Sequence, residues 1–110
     1  MPVTVEDLER QQENLQAIVA KRDLILRLEK NQDFRKLIHE DFIVQDCANY
    51  VHESNDPRLT PEQRADALAM AQAAGCLKRY LTICVQMGNR AEQEIKQISD
   101  TLDEVRSEES

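Results

Sequence analysis

Apolar residues recur at helical spacing along three stretches of the chain. The first stretch, residues 5–30, has one apolar face made of Leu8, Leu15, Ile18, Val19, Ile25 and Leu28. Thr4 can cap a helix here, with acidic residues in the first turn. Gln11 and Arg22 interrupt a strict heptad seam. We therefore expect a helix that packs through a broad face.

The second stretch covers residues 33–53, and Asp33 can cap it. Its apolar positions are three, four or one residue apart: Phe34, Leu37, Ile38, Phe42, Ile43, Cys47, Tyr50 and Val51. This spacing predicts an amphipathic α-helix. The sequence from Ser54 to Pro57 should end it, since proline disfavours helical backbone at the preceding Asp56.

The third stretch begins with the clearest local signal in the chain. Thr60 can cap a helix, Pro61 suits its first position, and Gln63 stands where a capping box takes Glu or Gln. Steps of three and four residues then give an apolar or glycine seam: Ala67, Met70, Ala74, Leu77, Leu81, Cys84, Gly88, Ala91, Ile95, Ile98, Leu102 and Val105. The positions opposite are polar: Gln72, Arg79, Gln86, Gln93 and Asp100. This pattern predicts a coiled-coil-like helix over residues 61–106.

Such a helix would be ~69 Å long at 1.5 Å per residue, longer than a compact domain of this size is wide. We therefore expect it to project or to find a partner. Gly88 and Asn89 are its weak point, because glycine inside a helix costs ~1 kcal/mol relative to alanine. They form either a break into two helices, with Asn89 and Glu92 as a new capping box, or a passage through one helix. We also assign a hinge to Gly88 and Asn89. The heptad phase, kept across Gly88, favours one helix.

The two halves of this third stretch differ. In residues 61–88 the flanks of the seam are also apolar, which predicts the domain core: Ala71, Ala73, Tyr80, Ile83, Val85 and Met87. In residues 89–106 only a narrow seam is apolar, which favours contact with another chain or with the first helix. We assign an oligomer or partner interface to what we name the C-terminal seam: Ala91, Ile95, Ile98, Leu102 and Val105.

Together these elements predict a single all-α domain over residues 1–110. The expected fold is a helical hairpin or a small bundle of three or four helices with a long C-terminal helix. The first helix should pack antiparallel on the long one, and the helix at 33–53 should cover its alanine-rich half. With 41% apolar residues and only two Gly and three Pro, the composition fits such a folded helical chain.

The charge distribution indicates which classes of partner the chain can bind. The formal net charge is −7, and residues 91–110 hold two basic and seven acidic side chains. There is no basic stripe, so we do not expect direct binding to nucleic acid. We also expect no membrane association, because there is no apolar stretch of ~18 residues and no secretory signal at the N-terminus.

Candidate chemistry is sparse, and we expect no enzyme, cofactor or metal site. His39, Cys47 and His52 share a predicted helix, but their spacing does not bring them to one tight face, and nothing activates a Cys47–His52 nucleophile pair. The carboxylates on that helix should form a solvated surface. The odd number of cysteines, Cys47, Cys76 and Cys84, predicts reduced thiols in the core of a cytosolic protein.

One run of sequence carries a family resemblance. Residues 63–75 (QRADALAMAQAAG), followed by LKRYL at 77–81 and VQMG at 85–88, resemble small all-helical proteins of unassigned function from tailed bacteriophages. The resemblance implies a phage origin and a place in virion assembly, and no functional residues are carried across. The acidic C-terminus departs from phage scaffolding proteins, which usually end in a basic segment.

We therefore expect a non-enzymatic, oligomerising phage protein in the virion or the host cytoplasm. Its partners would be itself and another protein, and its role a virion structural or assembly component. A second hypothesis stays open. The acidic helical surface could occupy a groove on a host protein, as in an inhibitor of a host enzyme or of a defence system.

Overall fold

A computed structural model describes residues 3–109 and confirms the all-α prediction. Of these residues, 91% are helical and none is in a strand. The elements, in chain order, are α1 (Val5–Glu29), α2 (Gln32–Phe34), a π-helix named π1 (Arg35–Asp46), α3 (Cys47–Ser54) and α4 (Pro61–Glu109).

Local side-chain chemistry fixes where the two long helices begin. At α1, the Asp7 amide donates to Thr4 Oγ1 at 3.1 Å, and the Thr4 amide donates to the Asp7 carboxylate at 3.3 Å. These hydrogen bonds between Thr4 and Asp7 lower the pKa of Asp7. At α4, the Gln63 amide donates to Thr60 Oγ1 at 3.1 Å, and the Thr60 amide donates to Gln63 Oε1 at 3.0 Å. Both pairs satisfy amides that a helix N-terminus leaves without a partner.

The prediction of an ordinary α-helix over residues 33–53 is wrong in its winding. The backbone is helical from residue 32 to 54, but π1 is a π-helix. At its end the Cys47 amide donates to the Phe42 carbonyl, five residues back. Hydrogen bonds of this span add almost one residue to each turn.

The wider turn changes which side chains share a face. Residues four and five apart now lie together, and the half-buried apolar side chains of residues 34–47 follow that period: Phe34, Ile38, Phe42, Ile43 and Cys47. Two residues assigned to the apolar face by α-helical spacing are exposed instead. Leu37 is 63% exposed and Val51 is 45% exposed.

Helix α4 continues without interruption for 49 residues, through Gly88 and Asn89. The alternative of a break at these two residues is therefore not observed. Its buried residues lie on one face, at steps of three, four, seven or eleven residues: Ala67, Ala71, Ala74, Leu81, Cys84, Gly88, Ala91 and Leu102.

The contacts of the chain divide into two compact units. Unit 1 comprises Met1–Leu26 with Ile83–Ser110, and unit 2 comprises Arg27–Thr82. In unit 1, α1 runs antiparallel to the end of α4, because Arg22 pairs with Glu92 while Glu9 pairs with Arg106, each at 3.0 Å. Leu8, Ile25, Cys84, Ala91 and Leu102 are buried there.

In unit 2, α3 lies beside the alanine-rich part of α4. The Cys47 thiol donates to the Ala71 carbonyl, with 3.6 Å between sulfur and oxygen. The small side chains Ala67, Ala71 and Ala74 are buried along this part of α4. Both packing expectations, α1 antiparallel on α4 and the second helical stretch on the alanine-rich part, agree with these contacts.

The prediction that the flanks of α4 form the core is wrong for most of them. Ala71 is buried and Val85 is half-buried, whereas Ala73 is exposed. Tyr80, Ile83 and Met87 are 49%, 38% and 48% exposed. Periodicity identifies apolar faces but not which of them a neighbouring helix covers, and α4 has more apolar surface than its neighbours cover.

Candidate interaction sites

A buried arginine lies at the contact between α1 and α4 in unit 1. The Arg22 side chain is only 10% exposed. Its Nη1 donates to Asn89 Oδ1 at 2.9 Å and to Glu92 Oε2 at 3.0 Å, and its Nε donates to Asp23 Oδ1 at 3.0 Å. The hydrogen bonds that Arg22 donates to Glu92 and Asp23 raise its pKa. We name these four residues the Arg22 cluster.

Gly88 allows α1 to come this close. A Cβ atom built on Gly88 would overlap the Arg22 Cβ and would lie 2.7 Å from its Cδ and 2.8 Å from its Cγ. Real side chains essentially never approach so closely, so only glycine fits without movement of the helices. The glycine that looked like the weak point of α4 is therefore a contact point of the hairpin in unit 1.

These contacts bear on the hinge assigned to Gly88 and Asn89. Both residues are helical, and Asn89 accepts the hydrogen bond from Arg22. Helix geometry and a side-chain partner therefore hold this segment in the described conformation. The hinge at Gly88 and Asn89 stays a prediction.

The C-terminal seam divides between buried and half-buried positions within the single chain. Ala91 is 2% exposed and Leu102 is 4% exposed, while Ile95, Ile98 and Val105 are half-buried. A shallow cavity of about 130 Å³ is lined by residues of both helices, Leu15, Ile18, Met87, Arg90, Ala91 and Glu94. The seam thus belongs in part to the intrachain contact of unit 1. Its role as an interface with another chain remains a prediction.

Unit 2 contains a cleft of about 480 Å³ between α3 and the start of α4. Its lining combines apolar and acidic side chains: Tyr50, Glu53, Asp56, Leu59, Gln63, Asp66, Ala67 and Met70. Arg58 already holds one of the acids, with its Nη2 2.9 Å from Asp56 Oδ2 and its Nε 3.0 Å from Asp56 Oδ1. This pairing lowers the pKa of Asp56 from 3.8 to about 2.

The acidic side chains of the cleft differ in their partners. Glu53 and Asp66 form no ion pair with any described residue, so they can attract a cationic side chain at physiological pH. Asp56 is a poor proton donor or acceptor near neutrality, because its pKa of about 2 keeps it ionised. A partner with a basic and an apolar side chain fits this lining.

His39 contacts Glu29 and Phe34, and the Cys47 thiol donates to the Ala71 carbonyl. His39 Nε2 lies 3.7 Å from Glu29 Oε1, and its ring meets Phe34 edge-on at 5.6 Å. Within residues 3–109, no three His, Cys, Asp or Glu side chains form a group that could hold a metal ion. All three cysteines are free: Cys84 is buried and Cys47 half-buried, but Cys76 is exposed, so its assignment to the core is wrong.

Sequence reasoning missed a second apolar line on α4. Ala69, Ala73, Cys76, Tyr80, Ile83 and Met87 are all exposed. Their alternating steps of four and three residues place them on one face of a helix. We name these six residues the outer stripe. The spacing is present in the sequence, but every one of these residues except Ala69 is predicted there to lie in the core.

No family model, no curated protein and no solved structure matches the chain. None of the described helices is both long enough and apolar enough to cross a membrane.

Proposed function

We propose that this chain is a non-enzymatic, oligomerising phage protein that acts through helix–helix contacts as a virion structural or assembly component. The observation that carries the proposal is the outer stripe. Large apolar side chains such as Ile83 and Met87 remain 38% and 48% exposed after folding. Monomeric soluble proteins rarely expose long contiguous apolar surfaces, and such surfaces usually mark contacts with other proteins.

The phage origin and the virion role rest on the resemblance of residues 63–88 to small phage proteins. The partners in this proposal are further copies of the chain and another phage protein, and the location is the virion or the host cytoplasm. Binding to nucleic acid or to a membrane is not part of the proposal, because the chain has a net charge of −7 and no basic stripe.

Two measurements test the proposal. Light scattering at high micromolar concentration should give a mass of at least two chains, and a monomer would contradict the proposal. A tagged chain expressed during infection should co-purify with phage particles. For the C-terminal seam, Ile95→Asp is the informative variant, because Ile95 is half-buried. Leu102→Asp should also dissociate the assembly, but Leu102 is 4% exposed, so that variant also disturbs folding.

A host-directed binding protein is the second candidate function. The unit 2 cleft favours it, because its lining combines the acidic Glu53 and Asp66 with apolar side chains, which suits a basic, amphipathic partner segment. A host protein bound at stoichiometric ratio would support this function. Its release by the double change Glu53→Lys and Asp66→Lys, but not by Glu108→Lys at the far end of α4, would place the contact at the cleft.

A further inference from the structure

We infer that the outer stripe is the contact surface for a second copy of this chain, and that the two α4 helices pair antiparallel about a two-fold axis at the level of Lys78. This inference rests on the proposed oligomeric function and identifies the surface and polarity of the contact. The outer stripe is a different surface from the C-terminal seam, part of which is buried by contacts within the same chain.

The first argument is the symmetry of the stripe. Ala69 and Met87 lie nine residues to either side of Lys78, Ala73 and Ile83 lie five residues away, and Cys76 and Tyr80 lie two residues away. Antiparallel pairing about this point therefore places every stripe residue opposite a stripe residue of the second copy. Because α4 is one uninterrupted helix, this register follows from α4 alone.

The second argument is side-chain size. The three residues before Lys78 are small (Ala69, Ala73, Cys76), and the three after it are large (Tyr80, Ile83, Met87). Antiparallel pairing opposes one small and one large side chain in all six layers. Parallel pairing would oppose alanine to alanine and tyrosine to tyrosine, which leaves gaps at one end and crowding at the other. Close-packed interfaces favour the first arrangement.

The third argument is charge at the ends of the stripe. One step beyond the apolar layers, Asp66 and Arg90 each lie twelve residues from Lys78, so Asp66 of each copy would face Arg90 of the other. Both side chains are exposed, and neither forms an ion pair with another described residue. In the next layer, Glu62 of each copy would face Glu94 of the other, and these like charges repel. The favourable contact therefore extends from residue 66 to residue 90.

The contact is tested first by the oligomeric state of the full-length chain. Sedimentation equilibrium should show a dimer, and Ile83→Glu or Met87→Glu should weaken dimerisation at least tenfold. Gln86→Glu is the matched control, because Gln86 is exposed, adjoins Met87 and receives the same charge. It should leave the dimer unchanged. Circular dichroism should show equal helicity for all variants.

The charged layers give a test that does not depend on apolar burial. Asp66→Arg alone and Arg90→Asp alone each create two like-charge layers, and each should weaken the dimer. The double variant restores opposite charges and should recover most of the lost affinity. Two single variants that weaken the dimer without recovery in the double variant would contradict the antiparallel register.

Polarity is tested by disulfide formation in a Cys76→Ser background. In an antiparallel pair, residue 69 meets residue 87 of the other copy, while two copies of residue 69 are about 27 Å apart at 1.5 Å per residue. Ala69→Cys alone and Met87→Cys alone should therefore not cross-link, whereas an equimolar mixture should. Cross-linking of the single variants without gain in the mixture would establish a parallel pair and overturn the inference.

The outcomes separate this inference from the proposed function. A chain that stays monomeric contradicts both. An oligomer that survives Ile83→Glu and Met87→Glu but dissociates with Ile95→Asp keeps the oligomeric function, assigns the contact to the C-terminal seam and overturns the outer stripe.

Discussion

Gly88 of α4 lies directly against the Arg22 side chain of α1, at a distance that leaves no room for a Cβ atom. Each residue breaks the apolar pattern of its own helix: Arg22 interrupts the face of α1, and Gly88 places no side chain in the seam of α4. The two exceptions meet each other across unit 1. The missing side chain of one accommodates the long side chain of the other.

Gly88→Ala should therefore destabilise the protein. Alanine normally favours a helix over glycine by ~0.5–1 kcal/mol, but here its Cβ would overlap Arg22, and overpacking costs ~1–3 kcal/mol. Gly75→Ala is the matched control, since a Cβ at Gly75 meets nothing within 4 Å. It should stabilise the protein by ~0.5–1 kcal/mol. Urea unfolding followed by circular dichroism measures both, and stabilisation by both changes would contradict the close contact.

Removal of the buried arginine should cost more than removal of an exposed one. Arg22→Ala deletes hydrogen bonds to Asp23, Asn89 and Glu92 and the packing of a side chain that is only 10% exposed. Arg106→Ala deletes a surface ion pair with Glu9, in which the Arg106 and Glu9 side chains are 56% and 50% exposed. Such pairs contribute ~0–1 kcal/mol to the free energy of unfolding.

The loss of unfolding free energy for Arg22→Ala should be several times that for Arg106→Ala. It should also persist at 1 M salt, because burial limits screening. Equal losses for the two variants, or a loss for Arg22→Ala that salt abolishes, would mean that Arg22 acts as an ordinary surface charge.

The sequence predicts where the helices begin and end better than it predicts which residues of different helices contact each other. The N-cap at Thr4 and the capping box at Thr60 locate both long helices. The structure places them at Val5–Glu29 and Pro61–Glu109, against predicted ranges of 5–30 and 61–106. The signals there are local. Arg22 and Gly88 are 66 positions apart in the sequence. No local sequence pattern predicts a contact between residues so far apart.

The same reasoning explains the errors in the candidate sites. An apolar face on α4 looks alike in sequence whether a helix of the same chain covers it or not, so Ile83 and Met87 were assigned to the core. The unit 2 cleft was missed because Glu53, Asp56 and Asp66 belong to two helices and the connection between them. Their convergence depends on how α3 and α4 pack.

The carboxyl group of Asp56 should titrate well below an ordinary aspartate. Its pKa of about 2 reflects mainly the paired Arg58 side chain, with a smaller contribution from Arg64. Arg58→Ala should raise the pKa towards 3.8, and Arg64→Ala should raise it less. Carboxyl carbon shifts in NMR, recorded as a function of pH, give each value directly.

The lowered pKa also sets the pH range in which Asp56 stabilises the fold. A carboxyl whose folded pKa lies below its unfolded pKa contributes fully above pH 3.8, and the contribution is lost as the pH falls towards about 2. The unfolding free energy of Asp56→Asn should therefore fall less steeply than that of the unmutated protein over this range. Equal slopes of unfolding free energy against pH for the two proteins would show that the pairing of Asp56 with Arg58 has no effect on stability.

The winding of π1 makes adjacent residues respond differently to the same substitution. Leu37 is 63% exposed, whereas Ile38 is half-buried beside Phe42 on the covered face. Leu37→Gln should change the unfolding free energy by less than ~0.5 kcal/mol, as surface substitutions usually do. Ile38→Gln removes a partly buried aliphatic side chain and should cost ~1–2 kcal/mol. The α-helical spacing of the sequence places both residues on the apolar face, so comparable losses for the two variants in urea unfolding would favour α-helical winding over π winding.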